Sequence, residues 1–315
     1  TATVRNSNGD IDLESITTMN AGADVEVRNT GSGNIDIATA NAARDLIVSA
    51  LNGGINLLTG NSGNSTSITN GIGNIVLESL NAGRNIAITT GQGAVTATTV
   101  AAGNDAAMTA QDGNIAVTGV SAGNDLSLTG INGDASVTNA AAGNDLSVSV
   151  TNGDISLTDA NAGNDIEVTT TAGNITLARG TATGGNAVVK TSAGTITISD
   201  KLKAGLTTLV EATAAIIAST IESGGTATVR NSNGDIDLES ITTTNAGSDV
   251  EVRNTGSGNI EIAAANAARD LIVSALNGGI SLLNGTSGNS TSITSGIGNI
   301  VLESLNAGGN IGITT

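Results

Sequence analysis

Short stretches of this chain alternate apolar and polar residues, and glycine, asparagine and aspartate separate the stretches. Residues 113–132 read GNIAVTGVSAGNDLSLTGIN and contain two alternating apolar pairs: Ile115 with Val117, and Leu126 with Leu128. Alternation with a period of two is typical of a half-buried β-strand and not of a helix. The intervening Gly, Asn and Asp favour turns. The pattern therefore predicts two or three short strands within these twenty residues, with Val120 and Ile131 nearer the bends.

The same pattern returns every twenty residues along the whole chain. An apolar residue follows Gly-Asn, Gly-Asp or a substitute of these pairs at fifteen places. They are Ile11, Ile35, Ile55, Ile75, Val95, Ile115, Ala135, Ile155, Ile175, Ile196, Ile216, Ile236, Ile260, Ile280 and Ile300. Two intervals are 24 residues, one is 21, and the others are 20. Identical strand–turn units stack by pairing each strand in parallel with its copy one unit later. We therefore predict an all-β fold: one continuous parallel β-solenoid over residues 1–315, with about fifteen turns.

A second, longer period of 225 residues lies above the first. Residues 226–315 repeat residues 1–90 with ten differences, so 80 of 90 positions are identical. Residues 1–225 therefore make one super-repeat of eleven turns, and residues 226–315 begin the next. We expect the chain to be part of a longer tandem array.

Composition narrows the possible functions. The chain lacks Phe, Tyr, Trp, Pro, Cys and His, has 43 Gly, and carries a net charge of −17. Nucleic-acid binding calls for basic stripes and stacking aromatics, and a membrane span for about 20 consecutive apolar residues. We therefore expect neither nucleic-acid binding nor membrane insertion. Without His or Cys the usual nucleophile–base pairs are missing, and the carboxylates form no single distinguished pair, so we expect no enzymatic activity.

Polar residues recur at fixed positions of the turn. Two glycine columns, of which Gly113 and Gly123 are members, indicate turns that need a positive φ. Asn41, Asn81, Asn161, Asn245, Asn266 and Asn306 predict an amide ladder along the stack. A carboxylate column consists of Asp105, Asp125, Asp145 and Asp165. It fits either acceptors for turn N–H groups or a calcium site. Asn replaces Asp at equivalent positions such as Asn85 and Asn186, which favours the hydrogen-bonding interpretation and predicts no cofactor.

Three segments depart from the regular pattern. Residues 15–23 (SITTMNAGA) and 240–248 (SITTTNAGS) carry three extra residues each. Residues 199–217 break both strand patterns and introduce Lys201 and Lys203. These segments are either bulges and a loop, or a recognition feature displayed once in 225 residues.

The residue pattern of the repeats resembles that of a known family. GNIAVTGVSAGNDLSL (113–128), GDISLTDANAGNDIEV (153–168) and GNIVLESLNAGRNIAI (73–88) are similar to the repeats of filamentous-haemagglutinin-like exoproteins of bacterial two-partner secretion. The resemblance implies a right-handed parallel β-helix, export across the outer membrane, and a role as a surface fibre or adhesin.

Together these observations predict a structural extracellular fibre, the rigid shaft of a large adhesin or filament on the bacterial cell surface. The expected partners are neighbouring copies of the chain and a host or neighbouring-cell surface. One alternative is a solenoid that binds glycan or ice, for which flat Thr-x-Thr arrays would be the mark. The exposed position between the two inward residues shows no regular threonine file, since it reads Ala116, Ser136, Ser156, Thr176 and Thr197. The other alternative is a polysaccharide-active β-helix enzyme.

Overall fold

A computed structural model describes all residues, 1–315, in two compact units, Thr1–Ser156 and Leu157–Thr315. It contains 31 β-strands and no α-helix, so no helix is present that could span a membrane. In both units, consecutive strands alternate between two parallel sheets. We call the sheet of odd-numbered strands sheet A and the sheet of even-numbered strands sheet B. Two strands make one turn, and the chain forms about sixteen turns of about twenty residues. The predicted β-solenoid is confirmed.

In the first unit, sheet A contains β1 (Ala2–Asn6), β3 (Val25–Ser32), β5 (Leu46–Asn52), β7 (Thr66–Ile72), β9 (Ile86–Gln92), β11 (Ala106–Asp112), β13 (Leu126–Asn132) and β15 (Leu146–Asn152). Sheet B contains β2 (Ile11–Thr17), β4 (Ile35–Ala42), β6 (Ile55–Ser62), β8 (Ile75–Ala82), β10 (Val95–Ala102), β12 (Ile115–Ala122) and β14 (Ala135–Ala142). The boundary between the units lies within β16 (Ile155–Ala162).

In the second unit, sheet A contains β17 (Ile166–Ala172), β19 (Ala187–Thr191), β21 (Thr208–Ala212), β23 (Ala227–Asn233), β25 (Val250–Ser257), β27 (Leu271–Asn277), β29 (Thr291–Ser295) and β31 (Ile311–Thr314). Sheet B contains β18 (Ile175–Ala182), β20 (Ile196–Ala204), β22 (Ile216–Ser223), β24 (Ile236–Thr243), β26 (Ile260–Ala267), β28 (Ile280–Ser287) and β30 (Ile300–Ala307). The predicted continuity over residues 1–315 and the right-handed sense of the coil stay predictions.

The strands pair with the twenty-residue register that the repeat predicts. Ile115 is the register partner of Ala135, and Leu126 is the partner of Leu146. Because equivalent positions of successive turns are register partners, inward side chains of one turn stack on inward side chains of the next, and Ile175 on Ile196 does so across a 21-residue turn. This stacking produces columns of like residues, and it explains why a core without aromatic side chains fills evenly at every level.

The two sheets of each unit enclose one narrow aliphatic core. In one turn, the predicted inward residues Ile115, Val117, Leu126 and Leu128 are all at most 4% exposed. Val120 is also buried, because β12 bends after Val117 and resumes its alternation on the far side of the bend. Ile131 is 41% exposed, so it lies outside the core.

The two 24-residue turns differ from the regular turn at two places. Three of the four extra residues lie in the loop between β2 and β3 and in its copy between β24 and β25, as the sequence predicts. The fourth lies inside β3 and β25, where the register shifts between Asn29 and Ser32 and between Asn254 and Ser257.

The prediction that residues 199–217 break the strand pattern is wrong. Strand β20 runs through this segment with a bulge between Ile198 and Lys201. The turn after β21 is shorter by one residue, since Thr208 and Ile216 are eight residues apart where Leu126 and Ala135 are nine apart. The insertion and the deletion cancel, so the next strands return to the regular register.

Candidate functional site

The predicted aspartate column forms a hydrogen-bonded ladder at the turn before sheet A. Asp105 Oδ1 accepts the side-chain amide of Asn124 at 2.8 Å and the backbone N–H of Asp125 at 3.3 Å. Asp125 Oδ1 accepts the corresponding groups of Asn144 and Asp145 at 2.8 and 3.2 Å. One carboxylate oxygen therefore binds two donors of the following turn.

The second unit and the asparagine members of this column use the same geometry. Asp165 Oδ1 accepts the backbone N–H of Asn186 at 2.6 Å. Asn85 Oδ1 accepts the side chain of Asn104 at 2.9 Å and the backbone N–H of Asp105 at 3.2 Å. A neutral amide thus serves where a carboxylate does. No group of three or more acidic side chains is placed to hold a metal ion. Calcium at Asp105, Asp125, Asp145 and Asp165 stays a prediction, and the ion would compete for oxygen atoms that already accept N–H groups.

One arginine extends the ladder near the start of each super-repeat copy. Arg44 Nε lies 2.6 Å from Asp24 Oδ1 and 3.0 Å from Asp45 Oδ2. The hydrogen bond from Arg44 holds the pKa of Asp24 below its ordinary value, and the contact raises the pKa of Arg44. The sequence analysis missed this bridge, although the Arg-Asp pair that follows an earlier Asp in both copies is a readable signal.

The second copy of this bridge places Arg269 between Asp249 and Asp270, with Arg269 Nε 2.7 Å from Asp249 Oδ1 and 3.2 Å from Asp270 Oδ2. The pKa of Asp270 is lowered first by the backbone N–H of Ser290 and then by the side chain of Asn289. The carboxylate thus makes the same kind of contacts in the second unit as Asp105 makes in the first.

The two glycine columns have different physical causes. Gly113 has φ of +148°, as a turn glycine should, and a Cβ there would lie 2.2 Å from the Gly93 carbonyl oxygen. The prediction of positive φ is wrong for the other column, because Gly123 does not have it. A Cβ on Gly123 would lie 2.2 Å from the Gly103 carbonyl oxygen, so close stacking of turns requires glycine there.

A second Asx ladder follows the turn that leads into sheet B. Asn74 Oδ1 accepts the backbone N–H of Ala94 at 2.9 Å, and Asn114 Oδ1 accepts that of Asp134 at 2.9 Å. Sequence analysis used these Gly-Asn and Gly-Asp pairs only as alignment marks. The repetition of an Asx residue immediately before the first apolar residue of each strand is the signal for this ladder.

The predicted asparagine ladder is present for part of its members. Asn61 donates to Asn41 at 2.9 Å, and Asn81 donates to Asn61 at 3.3 Å, so Asn61 belongs to the column although it was missed. In the second unit Thr286 donates to Asn266 at 2.8 Å. Asn245 is not a member, because it lies in the loop before β25 and Thr242 is the register partner of Asn266.

Buried polar side chains close the corner at the end of sheet A strands. Asn70, which is 1% exposed, donates to the carbonyl oxygens of Gly53 and Gly73 at 2.9 and 2.8 Å. Its counterpart in the second copy is Ser295, whose hydroxyl donates to Gly278 at 2.9 Å and Gly298 at 3.2 Å. The residue type changes between the copies, while the hydrogen bonds to the carbonyl oxygens are retained.

The outer faces of the sheets carry charge in a few turns only. On sheet A, Glu26 pairs with Arg5 and Arg28, and Glu251 pairs with Arg230 and Arg253. On sheet B, eight outward carboxylates have no ion-pair partner: Asp12, Glu14, Asp36 and Glu78 in the first unit, and Asp237, Glu239, Glu261 and Glu303 in the second. Asp237, Glu239 and Glu261 line a shallow depression of about 300 Å³.

The predicted recognition lysines lie on the bulged strand β20. Lys201 Nζ is 2.8 Å from Glu222 Oε1, and Lys203 is the register partner of Glu222. The bulge also brings Asp200 to Arg179, which pairs with it at 2.6 Å and with Asp159 at 3.0 Å. These contacts are exposed ion pairs, which contribute little to stability.

Outward-facing hydroxyls form a file on sheet A that the sequence analysis missed. Register partners in successive strands of the first unit are Ser49, Thr69, Thr89, Thr109, Thr129 and Ser149. The outward position of sheet B that lies between the two inward residues, as in Ala116 and Ser136, carries no such file. The recurrent triplets SIT, AIT, AMT and SLT are the signal that would have revealed it.

Comparison with known proteins finds a matching family profile but no individual protein with a significant match. The profile of the family described as Toastrack DUF4097 matches residues 1–239. No curated protein and no solved structure shows a significant match to the chain. Because the match spans well over half of the 315 residues, the chain belongs to the Toastrack DUF4097 family.

Proposed function

We propose that the chain is a non-enzymatic shaft segment of an extracellular fibre on a bacterial cell surface, of the kind found in filamentous-haemagglutinin-like adhesins. The family match and the fold support a β-helical repeat protein. The surface location and the adhesive role rest on the sequence resemblance. In this role the chain holds an adhesive end at a set distance from the cell.

The observation that carries the proposal is the even distribution of stabilising contacts along the turns. The same aspartate ladder, the same corner caps and the same aliphatic columns recur from turn to turn, and no turn concentrates unusual chemistry. A small-molecule site concentrates a few polar groups in one concave pocket. A spacer needs each turn to hold the next, and this chain is built in that way.

Comparison of the two super-repeat copies supports the same conclusion. Where they differ, several substitutions retain a hydrogen bond: Asn70 corresponds to Ser295, and Asn61 corresponds to Thr286. Ala23 corresponds to Ser248, which gains a bond of 3.3 Å to the Gly224 carbonyl oxygen. The copies thus preserve the contacts between turns, as expected if the function depends on the stack itself.

Two measurements on the native full-length protein test the proposal. Antibodies against residues 113–132 should label intact cells. If the antibodies label lysed cells but not intact cells, surface display is ruled out. Duplication of residues 1–225 adds eleven turns, which should lengthen the fibre by about 50 Å at about 4.8 Å per strand. Cell attachment should persist in that variant. An unchanged fibre length would contradict the role as a spacer.

The hydroxyl file of sheet A favours one second candidate, a solenoid that binds ice or a crystalline glycan. The six hydroxyls from Ser49 to Ser149 are spaced at about 4.8 Å, and Arg28 precedes them as the register partner of Ser49. An ice recrystallisation assay and a cellulose and chitin pull-down would test it. Replacement of Thr89 and Thr109 by Lys should abolish either activity, and inactive wild-type protein in both assays would remove this candidate.

A further inference from the structure

The outer faces of the two sheets differ in charge at the start of each super-repeat copy. The A-face arginines are Arg5, Arg28, Arg230 and Arg253. The B-face carboxylates of the first two sheet B strands of each copy are Asp12, Glu14, Asp36, Asp237, Glu239 and Glu261. Within each unit the sheets share one core: a Cβ on Gly60 would meet Leu57 and Leu80 of sheet B and Leu46 of sheet A. The outer faces therefore point away from each other. These exposed arginines lie on the A face and these unpaired carboxylates on the B face, and in the second unit Glu211, which pairs with Lys190, is the register neighbour of Arg230 on the A face.

The cationic character of the A face follows from the depth of its side chains. The side chains of Arg5 and Arg28 are 66% and 44% exposed, whereas that of Glu26 between them is 16% exposed. In the second copy, Arg230 and Arg253 are 50% and 42% exposed, over Glu251 at 20%. The carboxylate lies beneath the guanidiniums, so an approaching surface meets the cations first.

The anionic patch has the same spacing as the cationic one. Asp12 and Asp36 are register partners on adjacent strands, as are Arg5 and Arg28 on the other sheet. In the second copy Asp237 pairs in register with Glu261, and Arg230 with Arg253. Both patches therefore repeat at about 4.8 Å along the stack. The substitution of Asp36 by Glu261 between the copies keeps the charge.

Part of the remaining A face of the first unit allows close approach. At the second and fourth positions of β7, β9, β11, β13 and β15 the outward side chains are only Ser, Thr and Ala, such as Ser67, Thr69, Ala107 and Ser147. Exposed Ile72, Asp112 and Ile131 lie nearer the ends of the same strands. A second flat sheet could therefore lie against the first half of these strands without desolvating charge.

We infer that copies of this chain associate side by side, with the A-face arginines of one copy against the B-face carboxylates of the next. This inference deepens the proposed function by naming the lateral partner of the fibre. The contact joins two different surfaces, so it is heterologous and can continue from copy to copy. Single exposed ion pairs are weak, and the repetition of the patch in each super-repeat makes association multivalent.

Charge reversal on each face, followed by mixing, tests the inference in the whole chain. The first variant carries Glu at all four A-face arginines, and the second carries Lys at all six B-face carboxylates. Each variant alone has two faces of like charge and should sediment as a monomer. An equimolar mixture should associate at least about tenfold more tightly than either variant alone. The variants have net charges of −25 and −5, from −17 in the wild type, so overall charge cannot attract them.

Wild-type chain should itself associate, and salt should weaken the association. The Debye length falls from about 8 Å at 0.15 M to about 3 Å at 1 M salt, which should lower the association constant at least about tenfold. Arg84→Glu is the matched control, since Arg84 lies at a turn and the second copy has Gly309 there. This control should leave association unchanged.

Three outcomes would overturn the inference: a wild-type chain that stays monomeric at about 0.15 M salt, a mixture that associates no better than its components, or a control that weakens association as much as the A-face variant does. If a charge-reversed variant does not fold, a third variant replaces it. In this variant each of the six B-face carboxylates is changed to its isosteric amide, Asp to Asn and Glu to Gln. This third variant should weaken wild-type association at least about fivefold. A single fibre could still span distance without lateral contacts, so failure here leaves the surface-labelling and fibre-length tests independent.

Discussion

The side-chain amide of Asn124 donates a hydrogen bond of 2.8 Å to Oδ1 of Asp105 in the preceding turn. The same oxygen accepts the backbone N–H of Asp125, so one atom binds two donors from the next turn. Neighbouring carboxylates about 4.8 Å apart would repel each other. The N–H groups directed at each of them offset this repulsion and make the column stabilising.

We predict that Asp125→Ala lowers the free energy of unfolding by about 1–3 kcal/mol, because the Asn144 and Asp145 donors lose their acceptor. Asp125→Asn keeps an acceptor oxygen, as Asn85 does, and should cost less than about 1 kcal/mol. Urea denaturation of both variants measures the difference. Equal losses would show that charge, and not the acceptor, is what matters at this position.

We predict that calcium and chelators leave the melting temperature unchanged. The Oδ1 atoms of Asp105 and Asp125 already accept N–H groups, and no cluster of three acidic side chains is placed around an ion. Calorimetry with millimolar calcium and then with excess chelator measures this. A calcium-dependent rise in melting temperature that is lost in Asp125→Asn would establish the calcium site instead.

Gly123→Ala should destabilise the first unit by about 3 kcal/mol or more, because the new Cβ would lie 2.2 Å from the Gly103 carbonyl oxygen. Gly119→Ala is the matched control, since the nearest atom to its Cβ would be 3.7 Å away. That substitution should be neutral or stabilising by up to about 1 kcal/mol. Thermal melts of both variants decide the matter, and similar losses would refute close stacking as the reason for this glycine column.

The Arg44 bridge should contribute stability at neutral pH and lose it in acid. The pKa of Asp24 is lowered in the folded state, so folding is favoured above the unfolded pKa of about 4. This contribution disappears as pH falls through the lower folded pKa. Arg44→Ala should therefore melt below the wild type at pH 7, and the gap should narrow below about pH 4. Arg84→Ala is the control, and a gap that does not change with pH would exclude this linkage.

Leu128→Ala should cost about 2–5 kcal/mol, because Leu128 is 1% exposed and stacks in the core column with Met108 and Val148. Ile131→Ala should change stability by less than about 0.5 kcal/mol, because Ile131 is 41% exposed. Chemical denaturation compares the two. A large loss at Ile131 would mean that this corner is covered by another surface in solution.

The repeat alone determined the parallel pairing, the register and the aliphatic core of this protein. A fixed interval of twenty residues with alternating apolar positions admits few other ways to bury residues such as Ile115 and Leu126. The period also identified the polar columns, because residues that recur in sequence recur in space once turns are stacked.

Only the tertiary structure decided what each column does. Gly113 and Gly123 look alike in sequence, and the backbone of the preceding turn approaches both closely, yet only Gly113 has a positive φ. The bulge in β20 and the shortened turn after β21 cancel, which a local pattern cannot reveal. The hydroxyl file and the two charged faces also depend on which outward positions become neighbours. Sequence alternation separates inside from outside, but bends and bulges determine which exposed side chains share a face.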